Sequence, residues 1–189
     1  FIYYGEEIAM TQNGLNDDMY RRALMQWDTS ENAGFNQSGK RWLDNNWFPW
    51  IENYEPWWED FWQYSGTRDA HTVSAQLANK DSVLNHYRQL IELRTKAAFL
   101  RSPDSLSVYQ ETNMAWLAEY EKDGQQYWVV LNLDSENPTT TPLPEGVAKY
   151  DMLIDLLSKK MIKPGPNLYL APGELVVLSP KNPNSLAQY

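Results

Sequence analysis

The sequence predicts two structural parts: an α/β segment with one strand, a long loop and one helix, then a small antiparallel β-sandwich. Three observations predict it. Apolar residues recur at helical spacing over 81–98, a period-two alternation takes over from about residue 105, and Gly and Pro punctuate the chain after that.

Phe1 to Tyr4 is an apolar and aromatic run that ends at Gly5 and meets the acidic pair Glu6-Glu7, the pattern of a buried strand running into a polar loop. Residues 11–80 lack sustained periodicity and are rich in Asn, Asp, Gly and Trp, so they read as a long loop with one or two short helical turns. Over 81–98, Asp81 stands as the N-cap, and Val83, Tyr87, Leu90, Ile91 and Arg94 mark one helical face. From about 105, Met114, Trp116, Ala118 and Tyr120 alternate with Ala115, Leu117, Glu119 and Glu121. Asp123-Gly124 supplies a hairpin turn, and Tyr127, Val129, Leu131 and Leu133 continue the return strand. Pro142, Pro144, Gly146, Pro164, Gly165, Pro172 and Gly173 separate further short runs at 150–157 and 175–178, the rhythm of a small sandwich. Trp116 and Trp128 fall in it as core residues. The boundary is expected near 99–105, a sandwich of about 75 residues is expected to be marginally stable alone, and 182–189 is expected to be a loose tail.

Composition excludes several functions. Sixteen Lys and Arg face 25 Asp and Glu, a net charge of −9 that disfavours a phosphate-backbone partner. No run of 18 apolar residues is present, so no membrane span is expected. With no cysteine and only two histidines (His71 and His86), thiolate and His-rich metal sites are excluded; a carboxylate calcium site stays open without EF-hand spacing, and no metal ligand or cofactor is assigned. Nine Trp and twelve Tyr among 189 residues make a carbohydrate ligand worth testing, because aromatic faces pack cores but also stack on the apolar faces of sugar rings.

A single buried-type strand has no sheet to join, and its backbone groups would go unpaired. The first hundred residues are therefore expected to need partners from elsewhere. The opening directly on an apolar run, with no initiator Met or basic leader, fits a truncated chain.

Three segments resemble a known family. Phe1-Ile2-Tyr3-Tyr4-Gly5-Glu6-Glu7-Ile8 resembles the eighth barrel strand and following turn of glycoside hydrolase family 13, the α-amylase family. Arg22-Ala23-Leu24-Met25-Gln26-Trp27-Asp28 with Asn32-Ala33-Gly34-Phe35 resembles the next loop in its α-glucosidase and oligo-1,6-glucosidase branch. Asn79-Lys80-Asp81-Ser82 with residues 87–94 resembles the eighth barrel helix. Leu24 stands where that motif usually has proline, and Trp42 to Tyr64 is longer and more aromatic than in simple α-glucosidases. That stretch and residues 82–88 are also similar to neighbouring maltodextrin-cleaving α-amylases, so exo and endo action both stay open.

The resemblance implies a fold and a chemistry. Residues 1–100 would be the last strand, long loop and last helix of a (β/α)8 barrel, and 105–181 the family's antiparallel C-terminal sandwich. It implies a retaining mechanism with two carboxyl groups about 5–5.5 Å apart. These lie at the ends of earlier barrel strands, so no residue here inherits a catalytic role and the chain alone is expected to be inactive. Glu6 and Glu7 cannot replace them, since neighbours in an extended segment point to opposite faces. Calcium in the parent enzyme is compatible with the family but not indicated by these residues.

Arg22 is the substrate-binding candidate: its counterpart pairs with an upstream aspartate at the rim of the glucose pocket, a task suited to a guanidinium fork. A salt bridge with Asp28 or Asp18 is the other reading. Trp47, Trp50, Trp57 and Trp58, in a cluster with Trp42 and Trp62, serve either as sugar-stacking platforms or as packing for the loop. The expected ligand is an α-glucan or malto-oligosaccharide, and the expected partner is the missing N-terminal barrel portion. Hydrolysis is the leading activity; transglucosylation by the same family and a non-catalytic carbohydrate-binding or assembly role are the alternatives.

Overall fold

In the computed structural model, residues 2–10, 25–30, 34, 71–112 and 114–181 are described. The chain divides into two compact units, Phe1–Arg88 and Gln89–Tyr189. The division falls inside the main helix rather than at the start of the strands.

The second unit is built on period-two sequence. Strands β1 (Ser105–Thr112), β2 (Ala115–Lys122), β3 (Gln125–Asn132), β5 (Leu153–Asp155), β6 (Met161–Ile162) and β8 (Leu175–Pro180) form one six-stranded sheet in the order β1-β2-β3-β8-β5-β6. Every pairing in it is antiparallel. A second sheet pairs β4 (Thr139–Pro142) with β7 (Asn167–Leu170). The β2–β3 hairpin closes as expected at Asp123-Gly124. Lys122 pairs with Gln125, and the two turn residues have φ of 52° and 74°, the left-handed pair that a two-residue primed turn requires.

Alternation splits the side chains of the large sheet between two faces. Leu117, Trp128, Val130, Leu153, Val176 and Leu178 pack with Leu168 and Leu170 of β7 and with Val147 from a 3-10 turn at Glu145–Lys149. Val129, Ile154 and Val177 point the other way. They pack with Leu93 and Ala97 at the end of the main helix and with Phe99 of the helical turn that follows it. A sheet covered on both faces needs nearly continuous apolar strands, which is why 127–131 and 175–178 contain so few polar residues. Phe99 lies flat on Tyr127, with ring centroids 3.9 Å apart, and edge-on to Tyr120 at 5.8 Å.

The buried polar groups of this unit are paired, as burial demands. Trp128 is fully buried, and its indole N–H donates to Glu119 on the neighbouring strand at 2.8 Å. Asp155 is buried at the end of β5. Its carboxylate accepts the amides of Leu157 (3.2 Å), Ser158 (3.0 Å) and Val177 (3.0 Å), so one side chain fixes a turn and ties it to β8. Asn132 donates to the carbonyls of Asn137 and Ala171, joining the end of β3 to the loops around β4 and β7.

Helices α1 (Val73–Ala78), α2 (Val83–Lys96) and α3 (Ala98–Arg101) precede the strands in sequence. The helix expected over 81–98 is present, but two details differ. Its cap is Ser82, whose hydroxyl accepts from the Asn85 amide at 3.2 Å; Asp81 instead has its own amide held by Asn79. The buried side chains are Leu93, at 7% exposure, and Ala97, whereas Val83 and Ile91 of the expected face stand out to solvent. The apolar spacing of that face is real, but the side chains that pack in the second unit's core are Leu93 and Ala97.

The expected strand at Phe1 to Tyr4 is not formed over its described residues. Ile2, Tyr3 and Tyr4 are exposed, and the chain enters a 3-10 turn at Glu6–Ile8. The physical reason is the one the sequence raises: a strand is held by ladder partners, and the described strands all lie from Ser105 onward in two other sheets. Residues 35–70 and the tail at 182–189 lie outside the described residues.

Replacing Phe99 with alanine removes the ring that closes the helix-side core, and is expected to cost about 3–5 kcal/mol of the second unit's stability. Urea unfolding followed by tryptophan fluorescence measures it; a loss under about 1 kcal/mol would show that the ring is dispensable there.

Candidate functional site

The described part of the candidate site lies in the first unit and is assembled by hydrogen bonds. Among its described residues only Ile8 and Met25 are buried apolar side chains, while Gln26, Thr72, Gln76 and Ser82 are buried polar ones. Such a nucleus depends on its polar groups finding one another, and among the described residues the Gln26 Oε1 is buried without a partner.

Three segments meet there. Gly5 has a φ of 85°, which starts the turn that presents the Ile8 carbonyl inward. That carbonyl accepts from the Gln76 side chain at 2.6 Å and lies 3.1 Å from His71 Nδ1. Thr72 caps α1, accepting from the Ala75 amide at 3.2 Å. The first two amides of α1, Val73 and Ser74, donate to the carbonyls of Gln26 (2.8 Å) and Trp27 (2.9 Å). These amides have no partner inside the helix, so the Gln26-Trp27 segment satisfies them and is held in return. Burial raises the Tyr4 hydroxyl's pKa, Glu7 adds to this, and a backbone hydrogen bond with Met25 opposes it.

The segment so held presents Trp27 and Asp28. Trp27 is 48% exposed, although its backbone is pinned. The Asp28 carboxylate accepts the Ser30 amide at 2.8 Å, and the Ser30 hydroxyl and amide together hold its pKa below the usual aspartate value. The same hydroxyl accepts from the Gly34 amide at 2.9 Å. Gly34 has a φ of 70°, and a Cβ there would stand 2.6 Å from Asp28 Oδ2, so only glycine fits this close approach. Asp28, Ser30 and Gly34 are thus tied together, which gives the Asp28 carboxylate a defined position.

Arg22, Trp47, Trp50, Trp57 and Trp58 lie outside the described residues, as do Asp18, Arg21, Trp42 and Trp62. Trp27 is legible in the sequence as part of a motif but not as an exposed aromatic on a fixed backbone. Gln76 gives no signal, being one polar residue in a short helix. Among the described residues no group of three His, Asp or Glu side chains is placed to hold a metal, and no helix is long and apolar enough to cross a membrane.

The glucan 1,6-alpha-glucosidase of Streptococcus pneumoniae serotype 4 is 30% identical over 143 residues, 75% of this chain and 22% of that protein. The chain is homologous to the C-terminal part of glycoside hydrolase family 13 enzymes. The amino acid transporter heavy chain SLC3A1 of Rattus norvegicus is also 30% identical over 158 residues, with 77% of this chain and 20% of that protein covered. Among solved structures, the trehalulose synthase MutB R284C mutant superposes with a TM-score of 0.57 at 25% identity, covering 83% of this chain and 25% of that one. The MutB E254Q mutant in complex with the substrate sucrose superposes with a TM-score of 0.59 at 24% identity, covering 86% of this chain and 26% of that one. The chain thus spans about a fifth of the length of the curated relatives it matches. No family model matches it. The largely antiparallel second unit matches the C-terminal domain of this family.

Because the folded Asp28 pKa is lowered, its bonds to Ser30 favour the folded loop above the ordinary aspartate pKa. That contribution is lost as pH falls through the lowered value. Ser30→Ala is expected to raise the Asp28 pKa toward its ordinary value, read by carbon-13 NMR titration of the carboxyl. An unchanged titration would show that the Ser30 hydroxyl does not hold the charge.

Proposed function

We propose that this chain is the C-terminal portion of a retaining glycoside hydrolase that cleaves α-glucosidic bonds in malto-oligosaccharides or related α-glucans. The observation that carries the reading is the match over three-quarters of the chain to a glucan 1,6-alpha-glucosidase. Its 143 residues exceed the length of either compact unit, so the likeness runs through both. Residues 1–100 belong, in this reading, to the end of a (β/α)8 barrel and 105–181 to a C-terminal β-sandwich. The nucleophile and acid stand upstream, at the ends of earlier strands of that barrel. The isolated chain is then inactive.

Exposed apolar side chains in the first hundred residues support an upstream barrel portion. A surface helix normally turns its apolar stripe inward, yet Val83 and Ile91 on α2 and Leu77 on α1 stand exposed, with Ile2 and Tyr3 exposed ahead of them. An earlier barrel portion would cover these side chains. Arg22, three residues before the buried Met25, is the proposed contact to sugar and to an upstream carboxylate. Trp47, Trp50, Trp57 and Trp58 are proposed as outer stacking positions. Trp27 is proposed to join them, because it follows Arg22 by five residues on a segment held by hydrogen bonds.

The similarity to a transporter heavy chain favours a second reading, in which the parent protein keeps the fold for assembly with a partner. Transglucosylation is a variant of the first reading, supported by the likeness to a trehalulose synthase.

Incubating the full-length protein with isomaltose, maltose, maltodextrin and sucrose separates these. Glucose released with retained anomeric configuration is the expected result, and isomeric disaccharides from sucrose would identify transfer. No turnover of any of the four would overturn the enzymatic reading in favour of assembly.

A further inference from the structure

Gln76 is 4% exposed and uses every polar atom it has. Its side-chain nitrogen donates to the Ile8 carbonyl at 2.6 Å, and its side-chain oxygen accepts the Leu84 amide at 2.9 Å. Its backbone carbonyl takes the Ser82 hydroxyl at 2.7 Å and the Asn85 side chain at 2.9 Å. One residue therefore ties the turn after Gly5, helix α1 and the first turn of α2. The other end of α1 holds the carbonyls of Gln26 and Trp27 through the Val73 and Ser74 amides. Anything that shifts α1 must shift the segment that carries Trp27.

We propose that Gln76 is a positioning residue for the sugar-facing Trp27 segment, acting through helix α1; this rests on the carbohydrate reading above. The partners fix the orientation of the carboxamide, because its nitrogen must face a carbonyl and its oxygen must face an amide. The isosteric methionine can make neither bond. An ionised glutamate keeps the Leu84 bond but sets a negative oxygen against the Ile8 carbonyl. A protonated glutamic acid restores both, since its hydroxyl donates and its carbonyl accepts. The position is thus a chemical test of its own role.

The experiment uses the full-length protein with Gln76→Met and Gln76→Glu. Hydrogen exchange of the peptide carrying Val73 and Ser74, whose amides donate to the Gln26 and Trp27 carbonyls, is followed by mass spectrometry, and KM and kcat are measured on maltodextrin or isomaltose. In Gln76→Met, exchange of that peptide is expected to rise about tenfold, an opening made easier by about 1.4 kcal/mol. KM should rise several-fold with kcat nearly constant, the signature of lost binding rather than lost chemistry. Gln76→Glu should behave like Gln76→Met at pH 7 and recover native exchange, after correction for intrinsic rates, as the buried acid protonates at lower pH. That rescue identifies the two hydrogen bonds as the cause, and the rise in KM at nearly constant kcat separates a positioning role from a merely structural one.

Unchanged exchange at Val73 and Ser74 in both variants would overturn the inference, as would faster exchange with an unaltered KM in an active protein. Exchange is read without turnover, so the two claims fail separately. A protein inactive on every sugar but showing the exchange pattern would sink the carbohydrate reading and keep the mechanical link. An active protein without the pattern would sink the link alone. If Gln76→Met does not fold, Gln76→Glu at low pH still gives the answer.

Discussion

The second unit depends on the pairing of β3 with β8, which sets Trp128 opposite Leu178, Val129 opposite Val177 and Val130 opposite Val176. Each step along this pair sends one side chain to the β7 side and the next to the helix side. A shift of one residue would exchange the two sets. Trp128 would then meet a surface shaped for Val129, and Glu119 would lose the indole it accepts from. The other strands add to this pair: β2 by a tight hairpin, β5 through the ladder to β8 and the buried Asp155. The end of α2 and the turn after it then complete the second face, which is why the compact unit begins at Gln89.

The first unit is held differently. Its described residues bury little apolar surface and converge on a few carbonyls and amides around Gln76, Thr72 and Ile8. Hydrogen bonds contribute only about 0.5–1.5 kcal/mol each on balance, so this arrangement fixes geometry more than it supplies stability. That suits a segment whose proposed task is to present Trp27 and the Asp28 loop. It also makes the unit sensitive to single polar substitutions, because each lost partner leaves another group buried and unsatisfied.

Much of the antiparallel unit is legible in the sequence because its signals are local. Asp123-Gly124 between alternating runs specifies a two-residue turn, and the runs at 127–133 and 175–178 read as strands, whereas the covering of both sheet faces emerges only from the packing. The pairing of β4 with β7 is not legible. It joins residues about thirty positions apart across three other elements, and no local pattern encodes it. On α2, the spacing marks Val83, Tyr87 and Ile91 as a face but cannot say what the face meets; the sheet takes Leu93 and Ala97 instead. The sequence marks Asp81 as the cap, but the neighbouring Ser82 can also accept an amide, and the Asn85 amide goes to Ser82. In the site, Gly34 is visible as a motif glycine, but the reason for it needs the position of the Asp28 carboxylate. Gln76 is invisible because its role is made by partners 68 and 8 residues away.

A two-faced sheet supplies the stability of this chain, and a polar clamp supplies the geometry of its loop. Residue-resolved hydrogen exchange on the 189-residue chain tests this division most directly. The slowest-exchanging amides are expected in β3 and β8, at the level of global unfolding, with clearly faster exchange at Val73, Ser74 and Leu84, which open with the clamp. Equal or greater protection at those three amides than in β3 and β8 would contradict it.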